Sequence, residues 1–112
     1  MLDSETIFSS SETTKERVRM RLPRRVTFAD TLFIQEVDGE LVLLDTRSDH
    51  YYGLDSVGKT FWETIETNKG DIEKSITDLL EIFDVDEATL RRDMANFLHQ
   101  LEYNRLVDFV QQ

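Results

Sequence analysis

Residues 32–37 and 40–45 form two largely apolar runs on either side of Asp38-Gly39. Asp-Gly supplies the two positive-φ residues of a type I′ turn, so the pattern predicts a β-hairpin with a two-residue loop. That loop fixes a register in which Val37 faces Glu40. Both faces of the hairpin are half apolar, which predicts that other parts of the chain cover each face at least in part.

A short third strand is predicted at residues 50–54, after turn-forming residues at 47–49. Consecutive strands joined by short loops are usually neighbours in a sheet, so the three strands predict an antiparallel meander. The third strand then lies at the edge of that sheet.

Three helical patterns follow the strands. Asp55 or Ser56 begins the first, Asp71 begins the second, and Asp86 begins the third, which Asn104 ends. Their apolar positions recur three and four residues apart, as one buried helix face requires. These positions are Val57, Phe61, Trp62 and Ile65, then Ile72, Ile76, Leu79, Leu80 and Phe83, then Leu90, Met94, Phe97, Leu98 and Leu101.

The tight link at residues 84–86 predicts a helix-turn-helix-like corner between helices two and three, and residues 106–110 are apolar enough to pack back as strand or coil. The predicted fold is therefore α+β, of winged helix-turn-helix type, with a three-stranded antiparallel meander followed by three helices. We place this domain at residues 26–112. Residues 1–25 hold few apolar side chains and predict a flexible basic N-terminal tail or, alternatively, a contact arm for an acidic partner.

The residues offer little for catalysis or metal binding. The chain has no cysteine and two histidines, His50 and His99, far apart in sequence. Zinc-binding and calcium-binding spacings are absent from the sequence, so we expect no metal, no cofactor and no enzyme activity. The longest purely apolar run, residues 41–44, is too short to span a bilayer, and the N-terminus does not read as a secretion signal. A cytoplasmic protein without a membrane partner is expected.

Charge disfavours nucleic acid as a partner. The net charge is −10, and residues 26–112 are more acidic than the chain as a whole, because the first 25 residues hold more basic than acidic side chains. Arg91 and Arg92 stand near the start of the third helix, where a recognition helix reads bases. Acidic neighbours surround them, which favours local ion pairs. A winged-helix DNA-binding transcriptional regulator is the alternative hypothesis.

Peptide binding fits the predicted edge strand better. Its Tyr51 and Tyr52 are not the lysine or proline that usually protects an open edge, and Gly53 allows close approach of another backbone. A peptide added as a fourth strand would gain main-chain hydrogen bonds, with the third helix as the other wall of its cleft. The alternative is that both tyrosines are half-buried core or edge residues. An open edge can also pair with a second copy, so a homodimer through this strand is a further expectation.

Several runs of the chain resemble the PqqD family. They are residues 38–45 (DGELVLLD), residues 51–55 (YYGLD), Gly58 with Trp62, and a later set formed by Leu90, Asp93, Phe97-Leu98, Leu101 and Leu106-Val107. The resemblance covers roughly residues 27–110, and the runs are specific as a set. It is nearest to the stand-alone members that serve lasso peptide biosynthesis.

The resemblance implies a RiPP recognition element, which is a non-catalytic adaptor that binds the leader segment of a ribosomally made precursor peptide. The leader adds as a strand to the third β-strand, packs against the third helix, and is handed to a modifying enzyme, here a leader peptidase. The implied peptide-binding residues are His50, Tyr51, Tyr52, Gly53, Leu54, Leu90, Arg91, Met94, Phe97, Leu98 and Leu101. Among the mapped and neighbouring residues, Leu54, Trp62 and Leu101 are expected to be pure core.

Overall fold

The computed structural model describes residues 7–8 and 22–110 of the chain. Its elements in chain order are β1 (Ile7–Phe8), β2 (Arg25–Phe28), β3 (Leu32–Val37), β4 (Glu40–Asp45), β5 (His50–Leu54), α1 (Ser56–Thr67), α2 (Ile72–Leu80), α3 (Glu87–Tyr103) and β6 (Val107–Val110). The α+β fold with an antiparallel meander before three helices is thus confirmed. For the tail, the structure describes β1 and the residues from Leu22 onward; the remainder lies outside the described residues.

The predicted hairpin forms in its predicted register. β3 and β4 pair antiparallel with Val37 opposite Glu40. Asp38 and Gly39 adopt φ angles of 53° and 82°, as a turn that matches the strand twist requires. β5 then pairs antiparallel with β4, which completes the meander.

The sheet is covered unevenly. Leu41 and Leu43 of β4 are buried, whereas Phe33 and Val37 of β3 remain 68% and 45% exposed. The expectation that both faces of the hairpin are covered is therefore wrong for β3. The reason is that α1 packs against β4 and β5, which leaves β3 at the free side of the sheet.

The three helices begin at capping aspartates. Asp55, Asp71 and Asp86 each accept a hydrogen bond from the backbone N–H three residues further on, at 2.8, 3.1 and 2.8 Å. The cap of α1 is Asp55 rather than Ser56, which is the first helical residue. The apolar stripes then meet in one core, where Phe61 of α1 packs edge-to-face against Phe97 of α3 with ring centroids 5.4 Å apart.

A two-stranded ribbon of β2 and β6 closes the domain; residues 106–110 were expected to pack back as strand or coil and form a strand, but its pairing with β2 was not predicted. Val26 lies opposite Phe109 in this antiparallel pair. The N–H of Val26 also donates to the Gly70 carbonyl at 3.0 Å, which ties the ribbon to the loop between α1 and α2. Four-residue strands so far apart in sequence carry too little alternation to be recognised.

The order of the main sheet is β1-β5-β4-β3, so β5 is not its edge strand as predicted. β1 pairs parallel with β5, with Ile7 opposite Gly53 and Phe8 opposite Leu54. A two-residue strand carries no periodicity, which is why the sequence pattern gave no sign of it. We call the side of β5 that faces away from β4 the β5 edge.

Candidate functional site

A buried carboxylate fixes the turn that leads into β5. Asp45, 1% exposed, accepts hydrogen bonds from the Thr31 hydroxyl at 2.9 Å and the Arg47 backbone N–H at 3.1 Å. Its other oxygen accepts from the Arg47 guanidinium at 3.1 Å and the Ser48 hydroxyl at 3.2 Å. The Asp45 carbonyl accepts from the Asp49 N–H at 2.7 Å. The first residue of β5 is therefore held in place by groups at the end of β4.

These contacts also set the charge state of the turn. Burial by itself would raise the pKa of Asp45, but the hydrogen bonds from Thr31 and Arg47 outweigh it, so the pKa lies below its ordinary value. Burial raises the pKa of the nearby Tyr52 phenol, and the negative charge of Asp45 adds to that effect. The turn thus keeps an ionised carboxylate beside a neutral tyrosine.

Side chains alternate along β5 between the core and its opposite face. Tyr52 and Leu54 are buried, at 7% and 1% exposure, whereas Tyr51 and Gly53 are half-buried and His50 is exposed. The rings of His50 and Tyr52 lie 6.3 Å apart. Tyr51 and Gly53 therefore lie on the face of β5 opposite Tyr52, Leu54 is a core residue, and β1 pairs with the strand at Gly53 and Leu54.

Five of the residues implied on α3 form its core stripe. Each is at most 2% exposed: Leu90, Met94, Phe97, Leu98 and Leu101. They pack with β4, β5 and α1 in one cluster of buried side chains, which also includes Trp62. Contact between these five and a peptide stays a prediction, and in this structure their side chains stabilise the domain.

Arg91 ties α3 to α2. Its guanidinium binds both carboxylate oxygens of Glu73, at 2.7 and 3.0 Å, and one oxygen of Glu87 at 2.9 Å. The hydrogen bonds from Arg91 hold the pKa of Glu73 below its usual range, and the two carboxylates raise the pKa of Arg91. A role for Arg91 in reading bases or binding a peptide would require it to leave both partners, so this geometry favours neither.

A polar surface lies on the other side of the helix. At 100° per residue, Asp93, Asn96 and Gln100 stand about 140–200° around the axis from Arg91, and so away from α2. We call these three residues the α3 flank. Asn96 is only 8% exposed, and its Nδ2 has no hydrogen-bond partner within the described part of the chain. Burial raises the pKa of Asp93, an effect that the nearby Arg92 opposes.

Sequence patterning missed the α3 flank because polar residues beside an apolar stripe are ordinarily exposed. A buried amide donor without an acceptor costs about 1–3 kcal/mol, so natural structures rarely keep one. Within the described residues, the Asn96 amide is a buried donor without an acceptor.

One cavity among the described residues lies apart from the implied site. A cavity of about 700 Å³ is lined by Phe28, Ala29, Asp30, Thr31, Arg47, Glu102, Arg105 and Asp108, none of them an implied site residue. Within residues 7–8 and 22–110, no group of three potential metal-ligating side chains occurs. Among the same residues, no helix is long and apolar enough to cross a membrane.

The fold is thus a small α+β domain in which the two-residue strand β1 pairs along the outer side of β5. The chain belongs to the PqqD family: the model described as coenzyme PQQ synthesis protein D (PqqD) matches residues 40–107, more than half of its length. The resemblance in the sequence is confirmed.

A solved structure of similar fold is TbiB1, determined in complex with the TbiA(beta) leader peptide. The two are 29% identical with a TM-score of 0.70, over 77% of this chain and 99% of TbiB1. A comparison with curated proteins found no match.

Proposed function

We propose that this protein is a non-catalytic adaptor, a RiPP recognition element, that binds the leader segment of a ribosomally made precursor peptide. The leader adds to the β5 edge and lies in a cleft whose other wall is α3. The observation that carries the proposal is that β5 already accepts an added strand, β1, along its outer side. TbiB1, 29% identical, was determined with a leader peptide, which supports the same class of ligand here.

The β5 edge suits a peptide main chain. Alternate N–H and C=O groups of a strand point to each side, so the groups that do not pair with β4 are directed toward the added segment. Gly53 has no side chain and lets another backbone approach closely. Strand addition of this kind derives affinity from main-chain bonds and specificity from adjacent side chains.

Specificity would come from side chains beside the β5 edge and on the α3 flank. Tyr51 is half-buried on the face opposite Tyr52 and Leu54. On α3, the half-buried Asp93 offers an acceptor for a basic or hydroxyl side chain, and the neighbouring Asn96 amide is a buried donor that lacks a partner within the described residues. We assign peptide contact to His50, Tyr51 and Gly53 of β5 and to the α3 flank.

Delivery completes the proposed function. The bound leader is passed to a modifying enzyme, which we take to be the leader peptidase of a lasso peptide pathway in the cytoplasm. No step of this role needs a cofactor or a catalytic group on the adaptor. A homodimer through β5 would use the same edge and would therefore compete with the leader.

A titration by fluorescence anisotropy tests the binding step. The full chain is added to the labelled leader of the precursor encoded beside its gene, with the TbiA(beta) leader as a second probe. We expect a Kd of about 1–10 µM or tighter for the first, which corresponds to at least about 7 kcal/mol. Absence of binding at about 50 µM would remove the proposal.

A matched pair of tyrosine variants locates the site. Tyr51→Ala should weaken leader binding several-fold because Tyr51 borders the β5 edge. Tyr103→Ala removes the same side chain from a position on α3 that is 81% exposed and should leave binding unchanged. Equal affinities for both variants would place the leader elsewhere.

A further inference from the structure

The backbone of the chain itself occupies part of the β5 edge. Ile7 and Phe8 run parallel to β5, opposite Gly53 and Leu54, as the fourth strand of the main sheet. An arriving leader needs the same outward N–H and C=O groups of β5, and a strand edge forms one ladder at a time. Segment and leader are therefore mutually exclusive at these two positions.

We propose that β1 is an intramolecular competitor for the leader, so that leader binding must displace it. This inference rests on the proposed function and adds a regulation of the same site. The free adaptor then keeps its β5 edge covered until a leader arrives, which protects it from pairing with a second copy or with an unrelated extended chain.

The expected stability of the β1–β5 pairing follows from the length of β1 and from its attachment to the rest of the chain. A two-residue pairing makes few hydrogen bonds, so the same segment as a free peptide would bind weakly. Attachment through residues 9–24 makes the pairing intramolecular, at an effective concentration of order millimolar. The covered state exceeds the open state by a factor of about 1–10 if the same segment as a free peptide has a Kd of about 0.1–1 mM.

A covered-to-open ratio in that range allows a leader to displace β1. If only a fraction of the molecules has the edge open, the apparent Kd for the leader equals the intrinsic value divided by that fraction. A covered-to-open ratio of about 1–10 weakens leader binding about 2–11-fold. A leader that pairs along the whole of His50–Leu54 gains bonds that the two residues of β1 cannot match.

Hydrogen exchange tests the covered state without any leader. The variant with Ile7→Pro and Phe8→Pro removes both N–H groups of β1. The control with Thr13→Pro and Thr14→Pro leaves those groups in place. We expect faster exchange at β5 amides in the first variant alone, at a rate that does not change on dilution. Equal exchange in wild type and in the first variant, or protection lost on dilution, would overturn the proposal.

A measurement of leader affinity tests whether loss of the β1–β5 pairing strengthens leader binding. The labelled leader of the neighbouring precursor should bind the Ile7→Pro, Phe8→Pro variant about 2–10-fold more tightly than it binds wild type and the control. Equal binding to all three proteins would overturn the competition while leaving the adaptor function intact. Binding to none of them would remove the adaptor function, and the competition with it.

Discussion

The Thr31 hydroxyl donates a 2.9 Å hydrogen bond to the Asp45 carboxylate and so joins the residue before β3 to the last residue of β4. The N–H of Thr46 donates to the Thr31 carbonyl at 3.0 Å, which closes the same end of the hairpin. Because Asp45 also holds the turn before β5, this contact positions the strand to which we assign leader binding.

Thr31→Val should lower the free energy of unfolding by about 1 kcal/mol, because it leaves one oxygen of a buried carboxylate with fewer donors. Asp45→Ala should cost about 2 kcal/mol or more, since it removes the shared acceptor of three residues. Urea denaturation measures both values. Asp30→Ala, at an exposed neighbouring position, is the control and should change stability little. A Thr31→Val protein as stable as wild type would contradict the assigned role.

Acid should weaken the domain through the same carboxylate. The pKa of Asp45 is lowered in the folded state, so its stabilisation is fully present above the unfolded-state pKa, about 3.9. It is lost as the pH falls through the folded-state pKa. Glu73 and Asp86 add contributions of the same sign. We expect the Tm of Asp45→Asn to decline less steeply than that of wild type below about pH 4. An unchanged slope would show that Asp45 is not the cause of the acid sensitivity.

Asp93 should contribute to the pH dependence of stability with the opposite sign. The pKa of Asp93 is raised, chiefly by burial, so its ionised form opposes folding. The free energy of unfolding therefore falls as the pH rises from the unfolded-state pKa to the folded-state pKa. Asp93→Asn should therefore stabilise the free domain at neutral pH, with a difference from wild type that shrinks toward acid. Thermal unfolding at several pH values measures this. A stabilisation that stays constant with pH would show that charge is not its cause.

The loop between α1 and α2 should tolerate no side chain at Gly70. Gly70 has a φ of 88°, and a Cβ there would collide with the Val26 carbonyl. That carbonyl belongs to the paired strand β2, so it cannot move away without disturbing the ribbon. Gly70→Ala should cost about 3 kcal/mol or more. Gly39→Ala is the matched control: its φ is 82° with open space around it, so it should cost only about 1 kcal/mol of backbone strain. Similar Tm values for the two variants would refute the collision.

Much of this architecture follows from local sequence. Asp38-Gly39 specifies the hairpin and its register, and the aspartate caps specify where the helices begin, because turns and caps are decided within a few residues. The β2–β6 ribbon and β1 escaped prediction because each depends on pairing between short segments that lie far apart. At the site, sequence correctly placed Tyr51 and Gly53 on β5. It did not reveal that Asn96, a polar residue beside the apolar stripe, is buried as well, since its 8% exposure depends on what packs around it in the folded domain.

Met94 shows why burial matters for mutagenesis. It is completely buried, so Met94→Ala should lower the free energy of unfolding by about 2–5 kcal/mol through lost packing and a residual cavity. Any loss of leader binding in this variant would then follow from partial unfolding. Measuring affinity at a temperature where circular dichroism shows a folded protein separates the two effects. A stable Met94→Ala protein with weakened binding would instead place Met94 in the cleft.

Asn96 is expected to behave in the reverse way. Its Nδ2 is buried without a partner in the described part of the free protein, a penalty that Asn96→Ala removes, so the variant should have a Tm equal to or above that of wild type. If the amide donates to the leader backbone, the same change should weaken leader binding about 5–10-fold, the loss of roughly 1–1.4 kcal/mol. Glu102→Ala is the control, because Glu102 is exposed on α3 about 120° around the axis from Asn96. Asn96→Ala protein that binds the leader as tightly as wild type would remove the α3 flank from the site, and the leader would then be held by the β5 edge alone.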